Sequence, residues 1–163
     1  MFAHRAFALR TGGLAMAACL LPAAPGASAQ QVVLTASRSL DFGRFIARSG
    51  GTITVSPSGA RSSTGAVILL NSSSAGPAVF NVGTSNGGVS NKAVAITLPA
   101  NSSIRMTSAT GSMPLSAFVT SPATILMVPA SGVTLSVGAT MTVAAGQPRG
   151  NYTGSIPLIV NFQ

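Results

Sequence analysis

The sequence predicts an all-β protein, arranged as a β-sandwich or a barrel, and three observations support this. Apolar residues alternate with polar residues along several short segments. Turn-forming Gly, Pro, Asn and Ser separate these segments at short intervals. No useful 3.6-residue apolar period, typical of an amphipathic helix, follows residue 29. Because the composition does not change along this part, we expect one domain over residues 30–163.

The strands are predicted from their apolar alternation. Shorter alternating segments predict strands around residues 53–55, 78–82 and 94–98. The continuous apolar run at residues 65–71 predicts a strand that is buried on both faces. The longest alternating segment places six apolar residues on one face: Val133, Leu135, Val137, Ala139, Met141 and Val143.

The first 29 residues are predicted to form a secretory signal peptide. Arg5 and Arg10 precede an apolar run too short to cross a bilayer, and Ala27 and Ala29 are the small residues of a cleavage site. We expect cleavage after Ala29. A lipoprotein acylated at Cys19 is the alternative, although the preceding residues match such signals poorly. We expect no membrane span elsewhere.

Cleavage would leave a chain with very few catalytic side chains. Its 134 residues (163 minus 29) contain seven Lys and Arg, one acid (Asp41), no His and no Cys. Acid–base catalysis usually needs His or paired carboxylates, and zinc and calcium sites need several Cys, His or acidic ligands. We therefore expect no enzyme activity, no metal and no cofactor. Without a disulfide, stability must come from packing and strand pairing.

Two features that could indicate chemistry are given structural interpretations. Residues 83–87 match the Gly-x-Ser-x-Gly pattern of a hydrolase, but this reading needs a histidine to activate Ser85. We expect instead a hairpin turn at Asn86 and Gly87. The basic residues are scattered singly, without the clustering and interleaved aromatics of nucleic-acid sites, so no nucleic-acid partner is expected.

The most specific patterns lie at the two ends of the expected domain. The opening motif is Leu40, Asp41, Phe42 and Gly43, in which we expect Phe42 in the core and Asp41 capping a turn or pairing with an arginine. Gly43 is expected in a conformation closed to other residues. The closing segment, residues 150–162, has seven residues on one face: Gly150, Tyr152, Gly154, Ile156, Leu158, Val160 and Phe162. Left uncovered, such a strand would promote aggregation.

These two ends resemble bacterial secreted domains of the spore coat protein U and fimbrial-subunit type. The closing segment is similar to the C-terminal strand of chaperone–usher pilins, with Gly150 fourteenth from the end and Phe162 penultimate, where Tyr is usual. The resemblance implies an immunoglobulin-like, pilin-like β-sandwich that is incomplete and is completed by a donor strand. The middle of the chain matches only as a general β pattern.

The resemblance also implies a function and partners. It implies a secreted, non-catalytic structural subunit of a fimbria-like or surface-coat assembly, found in a bacterial periplasm and at the cell surface. Its partners would be a periplasmic chaperone, an usher and neighbouring pilin-like subunits, in a homo- or hetero-polymer docked through the closing segment. The alternative is a self-contained secreted β-sandwich that binds a ligand or carbohydrate, since few residues precede the Phe-Gly step.

Overall fold

A computed structural model describes residues 30–163, and the predicted signal peptide lies outside the described residues. This part of the chain is all-β, as predicted, with nine strands and no helix. None of the described residues forms a helix long and apolar enough to cross a membrane. The strands are β1 (Val32–Arg38), β2 (Phe45–Val55), β3 (Arg61–Leu69), β4 (Ala78–Thr84), β5 (Val94–Thr97), β6 (Arg105–Thr107), β7 (Ser112–Ser121), β8 (Val133–Val143) and β9 (Ile159–Phe162).

The strands form two antiparallel sheets, consistent with a β-sandwich. The main path of the seven-stranded sheet runs β1-β4-β8-β2-β3, with β7 paired to β8 and β6 paired to β7. The second sheet contains β5 and β9. The last strand of the chain therefore pairs outside the large sheet.

Three strands pair with β8, which is the centre of the large sheet. Its first half pairs with β4 and its second half pairs with β2. β7 pairs along the middle of β8 and overlaps both of these ladders, so β4 and β2 share the other edge. Gly138 lies between the two halves, where a side chain would overlap the carbonyl oxygen of Val55.

The core is built on the inward face of β8, as its alternation predicts. Apolar side chains from β2, β4 and β7 pack against this face, and each fully buried Leu, Met or Val stabilises the fold by about 1.5–3 kcal/mol. Eleven side chains of these four strands are less than 3% exposed: Ile53, Val55, Ala78, Val82, Met113, Leu115, Leu135, Val137, Ala139, Met141 and Val143.

The prediction that residues 65–71 form a strand buried on both faces is wrong. β3 is the terminal strand of the sheet path, and Ile68 is 49% exposed. Ile68 pairs across the ladder with Ile46, which is equally exposed. Ile68 therefore contacts Ile46 across the strands on the outer face of the sheet, and no second layer covers this pair.

The turn at Asn86 and Gly87 forms, but the hairpin predicted there does not. Gly87 has φ of +65°, and its N–H donates to the carbonyl of Thr84 at 3.1 Å. β4 pairs with β1 and β8, whereas the chain after this turn bridges Ser90 to Val128 and enters β5 of the second sheet. The turn residues specify the reversal but not the partner of the next strand.

Candidate functional site

The opening motif forms a fixed corner between β1 and β2. The backbones of Asp41 and Gly76 exchange two hydrogen bonds, of 3.0 and 2.8 Å. The Asp41 carboxylate accepts a hydrogen bond from the Gly43 N–H at 2.6 Å, which is the expected turn cap. Leu40 and Phe42 are buried, 6% and 3% exposed. The corner is therefore held by both its backbone and its side chains.

Two arginines tie the loop after β3 to this corner. The guanidinium of Arg61 donates to the carbonyls of Arg44 and Leu70, each at 3.1 Å. The guanidinium of Arg38 donates to the carbonyl of Ser74 at 2.6 Å. Both cations are thus used to position backbone.

The closing segment is a strand over less of its length than the sequence predicts. Only β9 pairs as a ladder, and upstream of it Thr153 forms an isolated bridge with Thr107. The β5–β9 ladder ends at the pair of Thr97 and Ile159. Two residues further on, the same register places Pro99 opposite Pro157. Because neither proline has an N–H, the ladder cannot continue through them.

The closing segment turns towards the core the alternate residues that the sequence pattern predicts. Ile156, Leu158, Val160 and Phe162 are half-buried against the core, whereas Ile159 is 58% exposed. The inward residues of β8 are far better covered. The closing segment is therefore the part of the inner face that this chain covers least well.

The first residues of the closing segment hold a loop instead of extending the strand. The Tyr152 hydroxyl donates to the carbonyl of Pro148 at 2.7 Å and accepts from the Gln147 side chain at 2.8 Å. At Gly154 a side chain would press on the backbone of β6, and Gly150 lies exposed in the loop. These three residues place the loop beside the opening motif.

We name together as the terminal groove two cavities that lie between residues 30–47 and residues 147–162 and that share no lining residue. Its narrow end, about 350 Å³, lies between residues 30–32 and 160–162. Its wide end, about 910 Å³, lies between residues 39–47 and 147–154. Within residues 30–163, no strand pairing or backbone hydrogen bond joins the two walls. The two motifs that the sequence singled out therefore line the same groove.

Backbone groups of β9 face the groove. The N–H of Gln163 donates to the carbonyl of Ala93 at 2.9 Å. Because hydrogen-bonded pairs alternate in an antiparallel ladder, Ile159 and Asn161 also bond to β5. Val160 and Phe162 therefore direct their N–H and C=O groups away from β5 and into the groove.

The same alternation applies to the opposite wall. The N–H of Ser85 donates to the carbonyl of Gln31 at 2.8 Å, so Val32 and Leu34 turn their backbone groups away from β4.

At the wide end, the N–H of Leu70 donates to the carbonyl of Arg44 at 2.9 Å. The backbone N–H and C=O groups of Phe45 and Ala47 therefore point away from β3. The β2–β8 ladder begins only at Gly51, so β8 does not pair with them. The open strand edges of the groove are therefore β1 and the start of β2 on one wall and β9 on the other, whereas residues 147–154 form a loop.

The N-terminal strand does not fill the groove. β1 is paired with β4 over most of its length, so it is not a free arm. Some Cα atoms of β1 and β9 lie within 8 Å of each other, closer than the about 9.5 Å that two strand spacings need. A strand that enters the narrow end must therefore move β1 and β9 apart.

Sequence reasoning missed several residues that line the wide end. Met106 and Met113 form part of its floor beside Met141, and Met106 lies in a three-residue strand that is too short to show alternation. Arg44 and Arg149 lie on its two walls. Their positions next to the opening motif and to Gly150 are the sequence signal that could have identified them.

Two kinds of chemistry considered from the sequence, a metal site and a Ser85 nucleophile, can be compared with the described residues. Residues 30–163 contain no group of three side chains suited to hold a metal ion. The Ser85 hydroxyl accepts a hydrogen bond from the Gln31 N–H at 3.1 Å in an exposed turn, and this part of the chain has no histidine to activate it. The arrangement is suited to hold a chain or ligand in the groove.

The fold is an all-β domain, and the terminal groove lies between its first and last segments. The chain belongs to the DUF4402 family, a domain of unknown function, whose family model matches residues 32–162. This match includes all nine strands and both walls of the groove except Gln30 and Gln31. No curated protein and no solved structure matches the chain.

Proposed function

We propose that this protein is a secreted, non-catalytic structural subunit of a fimbria-like or surface-coat assembly, and that the terminal groove receives a β-strand of a partner. One observation carries this proposal. Both walls direct backbone groups into the groove, and the inward side chains of β9 are only half-buried. A strand from a partner would pair with these groups and cover these side chains in a single step.

The choice of assembly rests on the resemblance of the two ends to spore coat protein U and chaperone–usher pilins. Both of these ends line the groove. In such an assembly a periplasmic chaperone would cover the groove first, and a neighbouring pilin-like subunit would replace the chaperone at the usher. Because β1 is engaged with β4, the donated strand would come from another segment or another protein.

The energy available from such docking is substantial. Completing the burial of Ile156, Leu158, Val160 and Phe162 would contribute about 1 kcal/mol each, since they are already half-buried. Each new backbone hydrogen bond would add about 0.5–1.5 kcal/mol net. Moving β1 away from β9 would oppose these gains.

Amide hydrogen exchange of the purified chain tests the proposal. Without a partner, the N–H groups of Val160 and Phe162 should exchange faster than that of Asn161, which bonds to β5. A synthetic peptide with alternating Val and Thr should slow exchange at Val32, Leu34, Val160 and Phe162. A peptide of the same composition in shuffled order is the control. Unchanged exchange with every alternating peptide would contradict the proposal.

A second candidate function is binding of a soluble ligand or carbohydrate in the wide end. Its volume of about 910 Å³ lies in the range of ligand pockets, and Asp41, Gln147 and Asn151 give it a polar rim. In that case a saccharide should bind the monomeric chain without slowing exchange at Val160 and Phe162. This outcome separates the two functions.

A further inference from the structure

We infer that the strand received by the terminal groove carries acidic residues at the end seated in the wide end, and that it belongs to a different polypeptide. This inference rests on the proposed function and adds the chemistry of the partner. It depends on the charged groups that line the wide end, which are Asp41, Arg44 and Arg149.

Arg44 and Arg149 lie on opposite walls of the wide end, and both are exposed. The guanidinium groups of Arg38 and Arg61 donate to backbone carbonyls. Those of Arg44 and Arg149, in contrast, donate no hydrogen bond to any of residues 30–163. Each is therefore available to a carboxylate that comes from outside the described chain.

Asp41 does not satisfy these two cations. It is the only acidic residue in the whole sequence, and its half-buried carboxylate accepts a hydrogen bond from the N–H of Gly43. The carboxylate is thus engaged in its own turn. The wide end therefore has two guanidinium groups without a hydrogen-bond partner among residues 30–163, and one carboxylate that is already hydrogen-bonded.

A second copy of this chain is a poor source of the matching acid. Residues 30–163 carry seven basic residues and one acid, a formal charge of +6, so two copies would repel each other. A partner strand with Asp or Glu would instead form charge-assisted hydrogen bonds to the guanidinium groups. Such close pairs persist at physiological salt, where the Debye length is about 8 Å.

The backbone of the same walls favours a polypeptide over an acidic polysaccharide. Phe45 and Ala47, next to Arg44, direct peptide groups into the groove. A polysaccharide would pair with the arginines alone, whereas an alternating strand would also pair with this backbone edge.

Matched peptides test the inference. Three peptides share one alternating core and carry Asp-Glu, Asn-Gln or Lys-Lys at their N-terminal end. A second set of three carries the same pairs at the C-terminal end, so that either direction of the strand in the groove is tested. In calorimetry, one Asp-Glu peptide should bind about tenfold more tightly than its Asn-Gln counterpart, and added salt should reduce this advantage. The double variant R44Q/R149Q should lose the advantage. The variant R48Q/K92Q removes the same charge from two exposed side chains that line neither end of the groove, and it should keep the advantage.

The possible results separate the inference from the proposed function. Equal affinity of all three peptides, with slower exchange at Val160 and Phe162, would overturn the inference and leave the strand proposal intact. Failure of every peptide to bind would overturn both. Polygalacturonate that binds through Arg44 and Arg149, while the acidic peptide shows no advantage, would overturn the inference in favour of a polysaccharide. Self-association that slows exchange at Val160 and Phe162 would overturn the assignment to a different polypeptide.

Discussion

Gly43 and Arg61 are in direct packing contact: a side chain at Gly43 would lie 3.0 Å from the guanidinium carbon of Arg61. The same guanidinium donates to the carbonyls of Arg44 and Leu70. The glycine therefore allows an arginine to position the first residues of β2, which form one wall of the terminal groove.

We expect Gly43→Ala to destabilise the fold by about 2–4 kcal/mol. Gly43 has φ of +67°, and its new methyl group would lie 2.8 Å from the Cβ of Ala75, so backbone strain and overpacking add. Urea unfolding measures the loss. Gly87→Ala is the control, because Gly87 has a similar φ of +65° but nothing within 4 Å of its Cβ. Equal losses in the two variants would contradict the packing contact.

The turn cap of the opening motif predicts different effects for two substitutions of Asp41. Asp41→Ala removes the acceptor for the Gly43 N–H and should lower the free energy of unfolding by about 1 kcal/mol. Asp41→Asn retains a side-chain oxygen and should preserve most of the stability. If thermal unfolding showed equal losses, the hydrogen bond to Gly43 would not be the stabilising contact.

Proline substitutions at neighbouring positions of β9 should separate its two edges. Asn161→Pro removes an N–H that bonds to β5 and should destabilise the chain by about 1 kcal/mol more than Val160→Pro. Val160→Pro removes an N–H that faces the groove, so it should abolish binding of the alternating peptide. Val160→Ala controls for the lost side chain and should keep most of the binding. Denaturation and calorimetry give the two readouts, and the reverse order of stability would show that the edges are assigned the wrong way round.

Truncations of inward leucines should distinguish the complete part of the core from the incomplete part. Leu135→Ala should cost about 2–5 kcal/mol, because Leu135 is fully buried in β8. Leu158→Ala should cost only about 1 kcal/mol in the isolated chain, since Leu158 is half-buried. With bound alternating peptide, the cost at Leu158 should rise and that at Leu135 should not. Equal costs in the free chain would mean that the groove is already covered.

The sequence predicted best where periodicity alone decides the structure. The alternation from Val133 to Val143 identified the inward face of β8, and the types of residue at Phe42 and Gly43 identified a core anchor and a special backbone conformation. These features are local, because the pleat sets the first and steric limits on φ set the second.

The sequence predicted poorly where the structure depends on which strands become neighbours. Ile68 in an apolar run does not reveal that β3 lies at the end of the sheet path. Pro157 gave no sign that Pro99 would lie opposite it and end the ladder of β9. The groove is likewise a product of register, since its walls come from segments about a hundred residues apart along the chain.

The central place of β8 has a consequence for the order in which the molecule can fold. Each strand ladder that connects the pair β1–β4 with the pair β2–β3 passes through β8. While the ribosome has synthesised only the chain before Val133, these pairs have no ladder to join them. Because such long-range pairing is slow to form, most of the chain should emerge from the ribosome before the two pairs of strands are joined into one sheet.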